Sequence, residues 1–140
     1  MIKSSKGIII LKNKYLLQLR DNKKNIFFPN FWGLFGGSLN KNETHKKAVE
    51  REMNEETNLT VKAVKEVLCV HFSIKTLKKK YQIVYYECKN LKKKKFILSE
   101  GKKYSFFSFN QIKKLNMVPM DFVAISSHYF NDKNYPSKNC

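Results

Sequence analysis

Five of the chain's eight glutamates (Glu43, Glu50, Glu52, Glu55 and Glu56) fall between positions 43 and 56, and three of its five glycines (Gly33, Gly36 and Gly37) lie just before them. The chain as a whole carries a formal charge of +17, so an acidic segment this dense needs a local cause. Residues 45–57 contain no Gly or Pro and read as a helix. Thr44 supplies an N-cap oxygen, and Asn58 stands where a helix C-terminus calls for a residue tolerant of positive φ.

A helix turns by about 100° per residue, so Glu52, Glu55 and Glu56, related as i, i+3 and i+4, project within one arc. Val49 and Met53 lie on an adjoining face and are expected to anchor the helix to a sheet. Ala48 falls within the acidic arc, where a small side chain admits a ligand. Like charges so arranged repel by a few tenths of a kcal/mol per pair. Arg51 offers one counter-charge, and converging carboxylate oxygens suit a hard divalent cation such as Mg²⁺ or Mn²⁺. Three glutamates on a helix, taken on their own, read more readily as an ordinary solvated face.

The surrounding chain is rich in β-prone runs. Residues 7–11 and 15–20 read as a hairpin across Lys12-Asn13-Lys14, and 21–30, with Pro29, as a loop. Residues 31–35 read as a short aromatic strand ending in Gly36-Gly37. After the helix come strands at 61–74 and 81–88 separated by the lysines at 78–80, then a strand at 104–109 and a helical turn at 111–115. Pro119 opens a last helix to about Tyr129, and 131–140 reads as a frayed polar tail. Strands before and after one central helix predict an α/β fold, a mixed sheet with helices on both faces, in a single domain spanning 1–140.

Composition limits the alternatives. Hydrophobic residues at 42% are enough for a core, which excludes general disorder. No apolar run approaches the roughly 20 residues of a membrane span, and Lys12, Asn13 and Lys14 make the N-terminal stretch a poor signal peptide. Cys69, Cys88 and Cys140 form no CxxC pair and no even framework, which predicts a reduced, cytoplasmic protein without cysteine chemistry. The positive charge is nearly all lysine, since Arg20 and Arg51 are the only arginines of 28 basic residues. With many asparagines and isoleucines alongside, that bias reads as AT-rich coding, and the runs at 78–80 and 92–95 as solvated turns. Nucleic-acid binding is therefore not favoured, because such sites lean on arginine. His45, His71 and His128 have no metal-ligand spacing.

The stretch from Gly37 runs five residues to Glu43, then seven to Arg51-Glu52-Met53-Asn54-Glu55-Glu56-Thr57-Asn58-Leu59. It resembles the Nudix box, G-x5-E-x7-R-E-U-x-E-E-x-G-U, where U is bulky and aliphatic. Six fixed positions match, an agreement whose chance is on the order of 10⁻⁸ per start point. Asn58 replaces the final glycine but tolerates the same left-handed backbone. Phe35 stands where a proline is common before the paired glycines, a change in loop packing rather than in ligands.

The resemblance implies a Nudix-type α/β/α sandwich around a central mixed β-sheet, and Mg²⁺-dependent hydrolysis (Mn²⁺ as a substitute) of a nucleoside diphosphate linked to some moiety X. By the same resemblance Glu52, Glu55 and Glu56 ligate metal with the Gly37 carbonyl, Arg51 orients them, and Glu43 supports the site from behind. The general base is Glu56 or, outside the box, Glu100. Substrate contacts must come from elsewhere: Trp32 heads the aromatic candidates for stacking on a base, ahead of Phe28, Phe31, Phe35 and Tyr104. Gly36 borders the site and Arg20 is a phosphate contact. A nucleoside triphosphate, oxidised or not, leads the substrates, ahead of a nucleotide-sugar, a dinucleoside polyphosphate or capped RNA. A non-catalytic binding module is the reading from another class, and a homodimer stays open.

Overall fold

The structure is a computed structural model and describes residues 1–23, 26–90 and 103–130. Its strands are β1 (Ile2–Ile8), β2 (Ile10–Leu11), β3 (Lys14–Leu19), β4 (Trp32–Gly33), β5 (Phe35–Ser38), β6 (Val61–Ile74), β7 (Lys79–Asn90) and β8 (Lys103–Phe107). The helices are α1 (His45–Thr57), α2 (Phe109–Ile112) and α3 (Pro119–Phe130), and a 3₁₀ turn spans Lys75–Leu77.

The fold is the expected mixed α/β type. Four strands in the order β5-β1-β7-β6 form a mixed sheet, in which β1 runs parallel to β7 and antiparallel to β5. A second sheet forms around β3, which pairs with β2, β4 and β8. Side chains alternate across a strand, and β7 uses both faces. Val84, Tyr86 and Cys88 pack with Val49 and Met53 of α1. Ile83 and Tyr85 pack with Ala124 and Ile125 of α3. The two helices therefore cover opposite faces of the mixed sheet.

Two sequence expectations change. The residues read as the first arm of a hairpin divide between sheets: Ile2–Ile8 is an inner strand of the mixed sheet, and only Ile10–Leu11 pairs with β3. The aromatic strand at 31–35 also divides, with Trp32–Gly33 pairing to β3 and Phe35–Ser38 forming the edge of the mixed sheet. Gly36 and Gly37 thus lie inside β5 rather than after a strand. In both cases the chain changes sheet within one apolar run, which hydrophobicity along the sequence does not reveal. Smaller differences are the turn before β7, closed at Lys78 so that Lys79 and Lys80 are already in the strand, and α2, which starts at Phe109. The lysines at 92–95 and the tail at 131–140 lie outside the described residues.

Candidate active site

Helix α1 begins and ends as its sequence requires. The Thr44 hydroxyl accepts from the Lys47 N–H at 3.2 Å, and Asn58, at φ 61°, closes the C-terminus with its N–H on the Asn54 carbonyl. Val49 and Met53 are fully buried, which fixes the rotation of the helix and turns Glu52 towards β5. Ala48 is also fully buried, so it packs in the interior rather than bordering a ligand site as its place in the acidic arc suggested.

Arg51 gathers the acidic residues. Its Nε and Nη2 donate to the two Glu43 oxygens at 2.8 and 2.9 Å, a fork-on-carboxylate pair. Nη1 donates to Glu52 at 3.0 Å and Glu55 at 3.2 Å, and Nη2 also donates to the Ser38 carbonyl at 3.0 Å. One guanidinium thus joins the loop before α1, two turns of the helix and the end of β5. The Arg51 fork, with the Asn40 N–H on the same carboxylate, holds the pKa of Glu43 down to about 2. Glu52 moves the other way: burial raises its pKa, Arg51 opposes that, and the Glu55 and Glu56 charges add to the rise.

The two glycines fit this arrangement differently. Gly36 has φ 155°, and a Cβ there would overlap the Ser5 carbonyl oxygen of β1. A Cβ on Gly37 would lie 2.5 Å from the carboxyl carbon of Glu52. The Glu52 carboxylate therefore occupies the space that a side chain at position 37 would fill.

The acidic residues suit a hard divalent cation in chemistry: Glu52 is desolvated, backed by two more negative charges, and seated on a bare stretch of backbone. They do not form a ready-made cage. Among the described residues no three carboxylate, imidazole or thiol groups are gathered closely enough to hold a metal. The Glu55 side chain is 57% exposed against 15% for Glu52, and Arg51 spans the two.

Beside the glycines opens a cleft of about 510 Å³, walled by Gly36, Gly37, Ser38, Lys6 and Arg20 and by apolar and aromatic side chains. Phe72 and Tyr81 stack in it at 5.0 Å and 10°, and Phe27 meets Tyr81 edge-on at 5.7 Å. Arg20 is fixed by a 2.8 Å bond from Nε to the Phe27 carbonyl. Trp32, the leading sequence candidate for a stacking ring, is not on the lining. Its ring packs edge-on against Phe107 at 4.9 Å, and its backbone holds Asn116 and Val118 ahead of α3. Phe31, Phe35 and Tyr104 are likewise absent from the lining, whereas Phe28 is on it. Of the rings missed from sequence, Phe27 lies in the loop before β4, and Phe72 and Tyr81 lie on strands β6 and β7, far from the glycines in the chain. The pairing of Phe72 with Tyr81 across the antiparallel register is the only signal those two carry. Glu100 lies outside the described residues.

An acidic helix locked by arginine against a glycine-bearing edge strand, next to a cleft with a cationic and aromatic lining, is equipped to handle a polyanion with a flat ring attached. The comparisons agree with the motif. Residues 1–126 match the NUDIX domain family, and solved structures of that kind superpose closely. They include the MutT protein from Methanosarcina mazei Go1 (26% identity, TM-score 0.77, covering 94% of this chain and 96% of that one). A second is the MutT protein of the Nudix hydrolase family from methicillin-resistant Staphylococcus aureus 252 (28%, 0.74, 94% and 97%). The E. coli ORF135 protein shares the fold (17%, 0.78, 97% and 94%). No curated protein matches the sequence. The chain belongs to the Nudix family and is an enzyme of the pyrophosphohydrolase class.

Proposed function

We propose that the protein is a Mg²⁺-dependent pyrophosphohydrolase of the cytoplasm that cleaves a nucleoside diphosphate linked to X, with a nucleoside triphosphate as its substrate. The observation that carries this reading is the Arg51 network, which brings Glu43, Glu52 and Glu55 together against Gly37 and Ser38 at the end of a cleft. Glu52, Glu55, Glu56 and the Gly37 carbonyl are the groups that would hold the cation. When bound, the metal screens the phosphate charge and lowers the pKa of water, as hard divalent ions do in phosphoryl transfer.

The chain's own groups do the remainder. Glu56 or Glu100 takes the proton of the attacking water as its oxygen bonds to phosphorus and the bridging P–O bond breaks. Arg51 keeps Glu52 ionised and aimed, and Glu43 keeps Arg51 in place. Arg20 steadies a phosphate, while the Phe72, Tyr81 and Phe27 rings receive the base.

A panel of nucleoside triphosphates, nucleotide-sugars, dinucleoside polyphosphates and capped RNA, assayed with Mg²⁺ and Mn²⁺, tests the proposal. The expected outcome is phosphate or pyrophosphate release from triphosphates, lost by a factor of about 10² or more in Glu55→Gln and Glu56→Gln with the fold intact. Full activity in those variants overturns the metal site. Nucleic-acid affinity that survives chelation and falls steeply with salt identifies a binding module instead.

A further inference from the structure

The cleft floor holds a polar device that hydrolysis does not require. Asp121, in the first turn of α3, is fully buried and accepts four hydrogen bonds. Its Oδ1 accepts from Lys6 Nζ at 3.0 Å and Tyr85 Oη at 2.7 Å, and its Oδ2 from Lys6 Nζ at 2.8 Å and the Leu34 N–H at 2.9 Å. Gly33 leaves room for it, since a Cβ there would lie 2.8 Å from Oδ2. With both oxygens doubly occupied, the carboxylate has nothing left to offer a ligand. The group that reaches the cleft is Lys6, whose side chain is 13% exposed and sits in the lining. An ammonium has three protons, and Asp121 takes two.

We propose that Lys6, clamped by Asp121, selects the base: it donates to a ring carbonyl, so the enzyme prefers keto heterocycles to their amino counterparts. The inference rests on the nucleotide reading above. Charge supports it, because the described lining carries Lys6 and Arg20 and no carboxylate, so an exocyclic amine finds no anionic acceptor. Position supports it too. Lys6 joins Asp121 on the α3 face of the mixed sheet, whereas Glu52 belongs to α1, on the opposite face. The phosphates beside the acidic residues stay with α1. The part of the substrate that passes the side-chain-free edge at Gly36-Gly37 meets Lys6 beside Ile83, Val118 and Met120. In so apolar a setting a mismatched donor pair costs far more than a missing methylene.

Hypoxanthine differs from adenine in carrying O6 for the N6 amine, and uracil from cytosine in carrying O4 for the N4 amine. Initial rates with ITP, ATP, UTP and CTP in Mg²⁺ are therefore the test. The wild-type protein is expected to favour ITP over ATP and UTP over CTP by about tenfold or more in kcat/KM. Lys6→Met is expected to bring both ratios to within about threefold of unity. If that variant does not fold, Lys6→Met/Asp121→Asn, which removes both charges, is read the same way. Wild-type ratios near one overturn the inference, as does an equal loss on all four substrates in the variant, which assigns Lys6 to the phosphates or the fold. Hydrolysis of none of the four sinks the triphosphate reading and this inference with it. Hydrolysis of all four without preference sinks the inference alone.

Discussion

Gly36 and Gly37 are adjacent, yet the structure needs each for a different reason. At Gly36 a side chain would overlap the backbone of β1, which cannot yield without breaking the sheet. At Gly37 the obstacle is the far end of the Glu52 side chain, which can swing aside. Gly37→Ala is therefore expected to fold, with a thermal midpoint close to wild type, while the Mg²⁺ concentration for half-maximal activity rises about tenfold. A midpoint that collapses, or an unchanged Mg²⁺ requirement, contradicts that account. Glu43 offers a test by pH. Its pKa is lowered by Arg51, so it stabilises the folded state above the ordinary carboxylate range, and that contribution fades as pH falls from about 4.5 towards about 2. Thermal midpoints followed across that window should fall less steeply in Glu43→Gln than in the wild type. Equal slopes would mean that the fork does not couple to folding.

Helix α1 is the element whose boundaries the sequence predicts best, because its signals are local. Thr44 satisfies an orphan N–H, and Asn58 adopts the left-handed backbone that ends the helix. Thr44→Ala is expected to lower the unfolding free energy by about 1 kcal/mol in urea titration, with the denaturant slope unchanged. A loss below a few tenths would show that the cap is not shared with the core. The ranges of β6 and α3 were legible too, since each run is bounded by turn or helix-start residues next to it in the chain. Strand β1 was not. Its Lys3, Ser4, Ser5 and Lys6 look like solvent-facing residues, but Ser5 is fully buried, and its hydroxyl hydrogen-bonds with His45 Nδ1 at 3.0 Å. Polar residues can line an inner strand when helices on both faces supply their partners, and no window of sequence contains those partners. Trp32 misled for a related reason. Closeness to Gly36-Gly37 along the chain does not put a ring in the cleft when the chain crosses to another sheet at Leu34, and the stacked pair that lines it, Phe72 and Tyr81, arrives from β6 and β7.

Across the whole molecule, Asp121 joins parts that lie far apart in the chain. It ties α3 to β1 through Lys6, to β7 through Tyr85, and through the Leu34 N–H to the point where the chain passes from the second sheet to the mixed one. The Tyr85 hydroxyl is pushed well above its ordinary pKa, first by burial and then by the Asp121 charge, so it stays a donor throughout the working pH range. Removing the carboxylate strands three donors at once, one of them an ammonium on the cleft floor. Asp121→Ala should therefore cost about 3–5 kcal/mol of unfolding free energy, the range for breaking a buried ion pair from one side. In a Lys6→Met background the same change should cost distinctly less, because the most expensive orphan is already gone. Urea titrations of the four proteins give the comparison directly. If Asp121→Ala costs the same with and without the lysine, the charge pair is not what holds α3 to the sheet. Tyr85 and Leu34 would then hold it, and Lys6 would be left to the cleft alone.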